Sequence, residues 1–164
     1  MGAGKSTAGS ALAERLRCPF EDLDQRIERR EGRTVPEIFR DSGEAQFRRA
    51  EGAALRELLA ELCGGVRKVV ALGGGAFVQT ANVRMIESSG LPAVFLDAPV
   101  EELWRRCRQQ AQGTKRPLLN NLDDFRKLYE LRRPRYLKAL HRLDTAGKEI
   151  DGIVAEIIEV LGLD

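Results

Sequence analysis

Met1-Gly2-Ala3-Gly4-Lys5-Ser6-Thr7 leads directly into Ala8, Leu12, Ala13 and Leu16, which share one side of a helix expected from Ser6 to Arg17. Glycines at positions 2 and 4 let backbone N–H groups turn towards one centre, and the helix behind them adds its positive N-terminal end. From there Lys5 can reach the β- and γ-phosphates of a nucleotide, and the Ser6 hydroxyl can coordinate magnesium. Gly4-Lys5-Ser6 is the end of a Walker A phosphate loop, whose first glycine would fall ahead of Met1. The alternative is an incidental lysine at a Gly-rich helix start, and a Gly-x-Gly-Lys-Ser-Thr run opening an amphipathic helix speaks against it. Such a loop follows a buried strand. We therefore expect the natural protein to carry roughly 8–12 further residues ahead of Met1, including a β-branched apolar run.

Outward from the loop, short apolar runs alternate with longer amphipathic stretches, the pattern of an α/β fold with a parallel β-sheet and crossover helices. Strands are expected at Pro19–Leu23, Lys68–Leu72, Pro92–Leu96 and His141–Asp144, each ending near a Gly, Asp or Pro. Asp24 is placed to cap a helix through Arg30, and Thr34-Val35-Pro36 to start a short one. A long helix fits Ser42–Cys63, with Phe47, Ala50, Ala54, Leu58 and Leu62 along one face. Others fit Thr80–Ser88, Val100–Gln109, Leu122–Arg132 (ending before Pro134) and Glu149–Leu161. Trp104 is expected to pack its helix against the sheet, His141 to be a strand residue, and Asp123 and Asp124 to begin a helix.

At 164 residues and 43% hydrophobic content the chain can build one core, and nothing in it resembles a linker, so residues 1–164 read as a single domain. A net charge of +2, with both signs mixed along the chain, argues against a nucleic-acid partner. Three widely separated cysteines, Cys18, Cys63 and Cys107, suit a reducing compartment better than a disulfide framework. No apolar run approaches a membrane span and no signal-peptide pattern is present, so we expect a cytoplasmic location; a monomer acting on small molecules is expected as well.

Four further motifs carry chemistry. Asp22 and Asp24 share one side of a strand's carboxyl end, where ligands of open α/β sheets bind; one could hold a magnesium-bound water and the other take a proton from an attacking hydroxyl, or either could simply cap a helix. Arg48 and Glu51 share a helix face, as a surface pair or as a guanidinium fork braced to grip a carboxylate. Gly73-Gly74-Gly75 follows a strand directly and permits close backbone approach to a ligand. Arg116-Pro117-Leu118-Leu119 ends a polar stretch suited to a lid, here placed at about 109–121, that would carry Arg116 onto the phosphates.

Taken in order, these motifs with Leu96-Asp97-Ala98-Pro99 and Arg132-x-Pro134-x-Tyr136 resemble the shikimate kinase family across the whole chain. The resemblance implies a P-loop three-layer fold, a five-stranded parallel β-sheet flanked by helices, with the first, central strand missing from this chain. It implies transfer of the γ-phosphate of ATP to the 3-hydroxyl of shikimate, with Mg2+ and with ATP as co-substrate. By position it assigns Gly2, Ala3, Gly4, Lys5, Ser6 and Thr7 to the phosphates, and Ser6 and Asp22 to the metal. Asp24 becomes the base and a ligand of the substrate hydroxyls, while Arg48 and Arg132 clamp the carboxylate with Glu51 orienting Arg48. Gly73, Gly74 and Gly75 supply backbone contacts, and Phe39 and Phe47 line the pocket within a substrate-binding helical region at about 25–63. Arg116 stabilises the transferring phosphoryl group, and Arg106 and the loop Asp144-Thr145-Ala146-Gly147 face adenine. Two other readings stay open: another small-metabolite P-loop kinase, such as a gluconate kinase, or a catalytically dead module that binds nucleotide or shikimate.

Overall fold

A computed structural model describes residues 2–110 and 121–163, with the Gln110 side chain left out. The chain divides into two compact units, one of Met1–Ala8 with Pro92–Asp164 and one of Gly9–Leu91. Helix α1, Lys5–Arg15, contributes to both.

In the unit Gly9–Leu91, strand β1, Phe20–Asp22, pairs in parallel with β2, Val69–Ala71. The register sets Asp22 beside Ala71, so the chain leaves both strands at the same edge. Asp22-Leu23-Asp24 and Leu72-Gly73-Gly74-Gly75 therefore emerge as neighbours. Gly9 lets α1 lie close on β1, since a Cβ there would fall 2.7 Å from the Phe20 ring.

Helix α2, Leu23–Glu31, starts two residues earlier than expected. Its cap is Asp22, whose Oδ1 accepts the Asp24 backbone N–H at 2.9 Å. An N-cap side chain reaches the amide two or three residues on, so Asp22 takes this task and Asp24 falls inside the first turn. Helix α3, Val35–Cys63, joins the two helices expected on either side of Ser42. A Thr34–Glu37 capping box and Pro36 in the first turn start it, and Gly43 at φ 77° breaks its dihedrals. Only glycine takes that φ without strain, and the helix resumes at once. Leu23, Ile27, Ile38, Leu55 and Leu58 are wholly buried between α2 and α3 and their neighbours. Each contributes about 1.5–3 kcal/mol by burial. A one-turn 3-10 segment, Ala76–Val78, and helix α4, Thr80–Ser89, complete the unit.

One edge of this unit holds an ion network. Lys68 Nζ lies 2.8 Å from both Glu21 and Glu61, and Arg26 pairs with the same two carboxylates. Hydrogen bonds from Arg26 and Lys68 lower the Glu61 carboxyl from 4.5 to about 2. Burial pushes Glu21 up, but the Lys68 hydrogen bond and the nearby cations outweigh it and the net shift is downward. Carboxyls depressed by folding stabilise above their unfolded pKa, and that contribution is lost as pH falls through the folded value. We predict that Glu61→Gln lowers Tm near neutral pH but loses less further stability than wild type between pH 5 and pH 2. Tm measured against pH checks this, and parallel curves for the two proteins would refute it.

In the other unit β3, Val94–Asp97, pairs in parallel with β4, His141–Asp144, from Val94 beside His141 to Asp97 beside Asp144. Helices α5, Val100–Gln110, α6, Leu122–Tyr136, and α7, Ile150–Leu161, accompany them. Trp104 sits 5.4 Å from the wholly buried Phe125 of α6, while Leu103 and Cys107 are the buried side chains among the described residues of α5. Asn121 caps α6 by accepting the Asp124 N–H, with Asp123 and Asp124 in the first turn. The helix runs through Pro134 to Tyr136, beyond its expected end. Proline there removes one hydrogen bond to the exposed Glu130, where water can serve the carbonyl instead. The three cysteines are free thiols, and no helix among the described residues is long and apolar enough to cross a membrane.

Candidate active site

The two strand ends of the Gly9–Leu91 unit gather most of the residues expected to hold an acid. A Cβ at position 73 would lie 2.6 Å from Asp24 Oδ1, and one at position 75 would lie 2.8 Å from Arg48 Nη2. The first glycine thus makes room for a carboxylate and the third for a guanidinium. Gly75 has φ −97°, which any residue can adopt, so close approach and not backbone shape requires glycine there. Gly74 stands between them, half-buried. A cation and an anion are set two residues apart along one half-buried loop.

Arg48 is held on several sides. Its Nη1 donates to Glu51 Oε2 at 2.9 Å, and Glu51 is only 1% exposed. That burial decides against a surface pair: a carboxylate withdrawn from water costs several kcal/mol unless paired, so it fixes the arginine. Glu44, one turn back, accepts from Nη2 at 3.2 Å. The Arg48 guanidinium lies 5.2 Å from the Phe47 ring centroid, and the Phe39 and Phe47 rings are 4.6 Å apart. Phe39 remains 36% exposed, an apolar wall open to solvent. The role of Glu44 was missed in the sequence, although its i,i+4 spacing to Arg48 was there to read.

We predict that Gly75→Ala raises the KM for the carboxylate-bearing substrate by about ten- to a hundredfold, because displacing a binding group by about 1 Å has effects of that size. The backbone at position 75 is permissive and the guanidinium needs to shift by only about 1 Å while keeping its bond to Glu51, so Tm should move by less than about 4 °C. Unchanged kinetics in this variant would show that the loop does not set the arginine.

In the other unit Gly2 and Gly4 have φ of 65° and 75°, and Ala8 N–H donates to Gly4 O at 2.8 Å as α1 begins. Gly2 and Ala3 are buried, Gly4 and Lys5 half-buried, and the Ser6 and Thr7 side chains face solvent. Gly2 rests on α5, where a Cβ would fall 2.8 Å from Cys107 Sγ. Arg106 on the same helix donates from Nη1 to Thr145 Oγ1 at 3.1 Å and from Nη2 to Thr145 O at 2.9 Å, with Glu102 Oε1 at 2.5 Å. The arginine and the loop that were both expected to face adenine are therefore bonded to each other.

Arg132 on α6 is half-buried, and its charge acts on the Tyr136 hydroxyl one turn on. Burial raises the pKa of that hydroxyl, against the lowering effect of Arg132. Tyr136 in turn packs on Phe95 of β3, with rings 5.3 Å apart, which gives the Arg-x-Pro-x-Tyr spacing a physical purpose. Asp97 had no assigned role. It accepts from the Tyr129 hydroxyl, from Arg133 at 2.9 Å and from Arg142 at 2.9 Å, joining α6 to both strands. Burial raises its carboxyl, but the hydrogen bonds from Tyr129 and Arg133 and the two arginine charges bring it below its ordinary value. Arg116 lies outside the described residues. So does most of the expected lid, whose ends belong to α5 and to the Asn121 cap of α6.

The family model described as shikimate kinase matches residues 1–162. The chain belongs to the shikimate kinase family. A shikimate kinase from Persephonella marina is 38% identical over 159 residues, covering 96% of this chain and 92% of the relative. One from Symbiobacterium thermophilum is 41% identical over 165 residues, with 98% and 91% covered. Among solved structures, shikimate kinase from Aquifex aeolicus matches with TM-score 0.83 at 35% identity, over 99% of this chain and 92% of the other. Shikimate kinase from Acinetobacter baumannii, solved in complex with shikimate, matches with TM-score 0.83 at 35% identity, over 98% and 88%. The α/β fold class with parallel strands is that of these shikimate kinases, which share the P-loop.

Proposed function

We propose that the chain transfers the γ-phosphoryl group of ATP to the 3-hydroxyl of shikimate, working as a single cytoplasmic, monomeric kinase domain with magnesium. The observation that carries this is the triglycine loop, with Asp24 against Gly73 and the Glu51-braced Arg48 against Gly75. Shikimate is a rigid ring with a carboxylate at one end and hydroxyls at the other, and this loop offers a guanidinium and a carboxylate in complementary places. Gluconate carries the same groups on an open chain, which loses more conformational freedom than a rigid ring when held between two fixed charges.

The division of labour follows from the chemistry of phosphoryl transfer, which needs alignment and charge neutralisation more than covalent help. Backbone amides of Gly2, Ala3, Gly4 and Thr7 hold phosphate oxygens at the start of α1, with Lys5 between the β- and γ-positions. Ser6 and Asp22 are the oxygen donors that would hold magnesium, which would supply charge neutralisation at the phosphates. A hydroxyl and a carboxylate suit that ion, which keeps several waters of its own. Asp24 orients the attacking hydroxyl and takes its proton. Arg48 and Arg132 grip the shikimate carboxylate, Gly74 contributes backbone contact, and Phe39 and Phe47 bound the ring. Arg106 lies along the base, and Arg116 acts on the charge of the transferring group.

A coupled assay of ADP formation with shikimate or gluconate as acceptor tests the assignment. Shikimate-dependent ADP release with none above background on gluconate is expected. Turnover on gluconate alone would replace shikimate as the substrate, and no acceptor-dependent turnover would leave a binding module.

A further inference from the structure

Thr145 is wholly buried, and every polar group it carries is used. Its N–H donates to the Asp97 backbone carbonyl at 2.8 Å, and its hydroxyl donates to the same oxygen at 3.0 Å. The hydroxyl proton being spent there, the Oγ1 lone pairs are left facing Arg106, which donates to Oγ1 and to the Thr145 carbonyl from its two terminal nitrogens. Glu102, one turn before Arg106 on α5, accepts from the second of these nitrogens. A guanidinium bonded along its edge keeps its plane fixed and its faces available to a flat partner. The anchor itself is firm: the Asp97 side chain is locked by Tyr129, Arg133 and Arg142.

We infer that Thr145 is a positioning residue for the nucleotide base, acting through Arg106: its hydroxyl relays the rigidity of the β3 end at Asp97 to the plane of the guanidinium. The inference rests on the reading of Arg106 as the residue along the base. The hydroxyl matters twice over, as donor to Asp97 and as acceptor from Arg106, so valine removes both of these bonds while keeping the shape and the two backbone bonds, and serine retains all of them.

Mg-ADP affinity, measured by titration calorimetry on the full chain, provides the test, with inhibition by inorganic tripolyphosphate as a ligand that has phosphates but no base. Thr145→Val should weaken Mg-ADP by about tenfold or more, as for one hydrogen bond to a charged group, and leave tripolyphosphate within about twofold. Thr145→Ser should bind Mg-ADP within about twofold of wild type. The double variant with Arg106→Ala should be no weaker than Arg106→Ala alone. Equal losses for Mg-ADP and tripolyphosphate would mark a fold effect and overturn the inference, as would multiplying losses in the double variant. If Arg106→Ala weakens Mg-ADP while Thr145→Val does not, the relay fails and Arg106 stands. If Arg106→Ala leaves Mg-ADP unchanged, Arg106 does not face the base, and both readings fall.

Discussion

Asp24→Asn is expected to lower kcat by about a hundredfold or more, with a smaller change in the KM for shikimate, because general-base contributions have that size. Asparagine keeps the volume and hydrogen-bonding reach of the side chain and loses the basicity. The position makes the test clean. Capping of α2 is carried by Asp22, so the helix start does not depend on Asp24. The expected structural cost is the loss of one anion from the first turn of a helix, about 0.3–1 kcal/mol. Steady-state kinetics with saturating ATP read the effect. Asp24→Asn turning over at near the wild-type rate would remove Asp24 as the base and leave it at most a ligand of the ring hydroxyls.

Arg48→Ala should act on the other term. Losing one side of a desolvated charge pair weakens binding by about 2–5 kcal/mol, so the shikimate KM is expected to rise by about thirtyfold or more while the KM for ATP stays close to wild type. This variant has a second effect, since Glu51 is left buried without its guanidinium, at a stability cost of about 3–5 kcal/mol. Arg48→Lys separates the two. It returns a positive charge to Glu51 but not the planar fork that meets a carboxylate with two parallel bonds. Arg48→Lys should therefore recover much of the Tm and little of the shikimate affinity. Recovery of both together would mean that Arg48 serves the fold and not the ligand.

The comparison with sequence expectation divides along physical lines. Strands β2 and β3 were legible as apolar runs and the helix cores by 3.6-residue spacing, both local properties; β1 and β4, more polar, were marked by the Gly, Asp or Pro near their ends. Boundaries were less so. The exchange of Asp22 for Asp24 as the cap depends on which residue first takes helical dihedrals, and two aspartates two residues apart offer the same signal. Pro134 was read as a stop, yet a proline near a helix end with an exposed carbonyl one turn back removes little. In the site, the Arg48–Glu51 spacing was visible but its meaning was not, since burial of Glu51 comes from the packing of α3 on its neighbours. The meetings of Gly73 with Asp24 and of Gly75 with Arg48 depend on the β1–β2 register, which no local pattern fixes. Asp97 and Thr145 were quoted within motifs, one left without a role and the other only assigned by resemblance to an adenine-facing loop. Their hydrogen bonds to each other and to Arg106 and α6 join residues more than 30 positions apart.

The central claim is that the triglycine loop, Asp24 and Arg48 form the seat of shikimate. A crystal structure of the chain with shikimate bound tests it most directly. The account predicts the carboxylate on the Arg48 and Arg132 guanidinium groups, and the 3-hydroxyl within hydrogen-bond distance of Asp24. Shikimate seated elsewhere, with Arg48 contacting only Glu44 and Glu51, would contradict it.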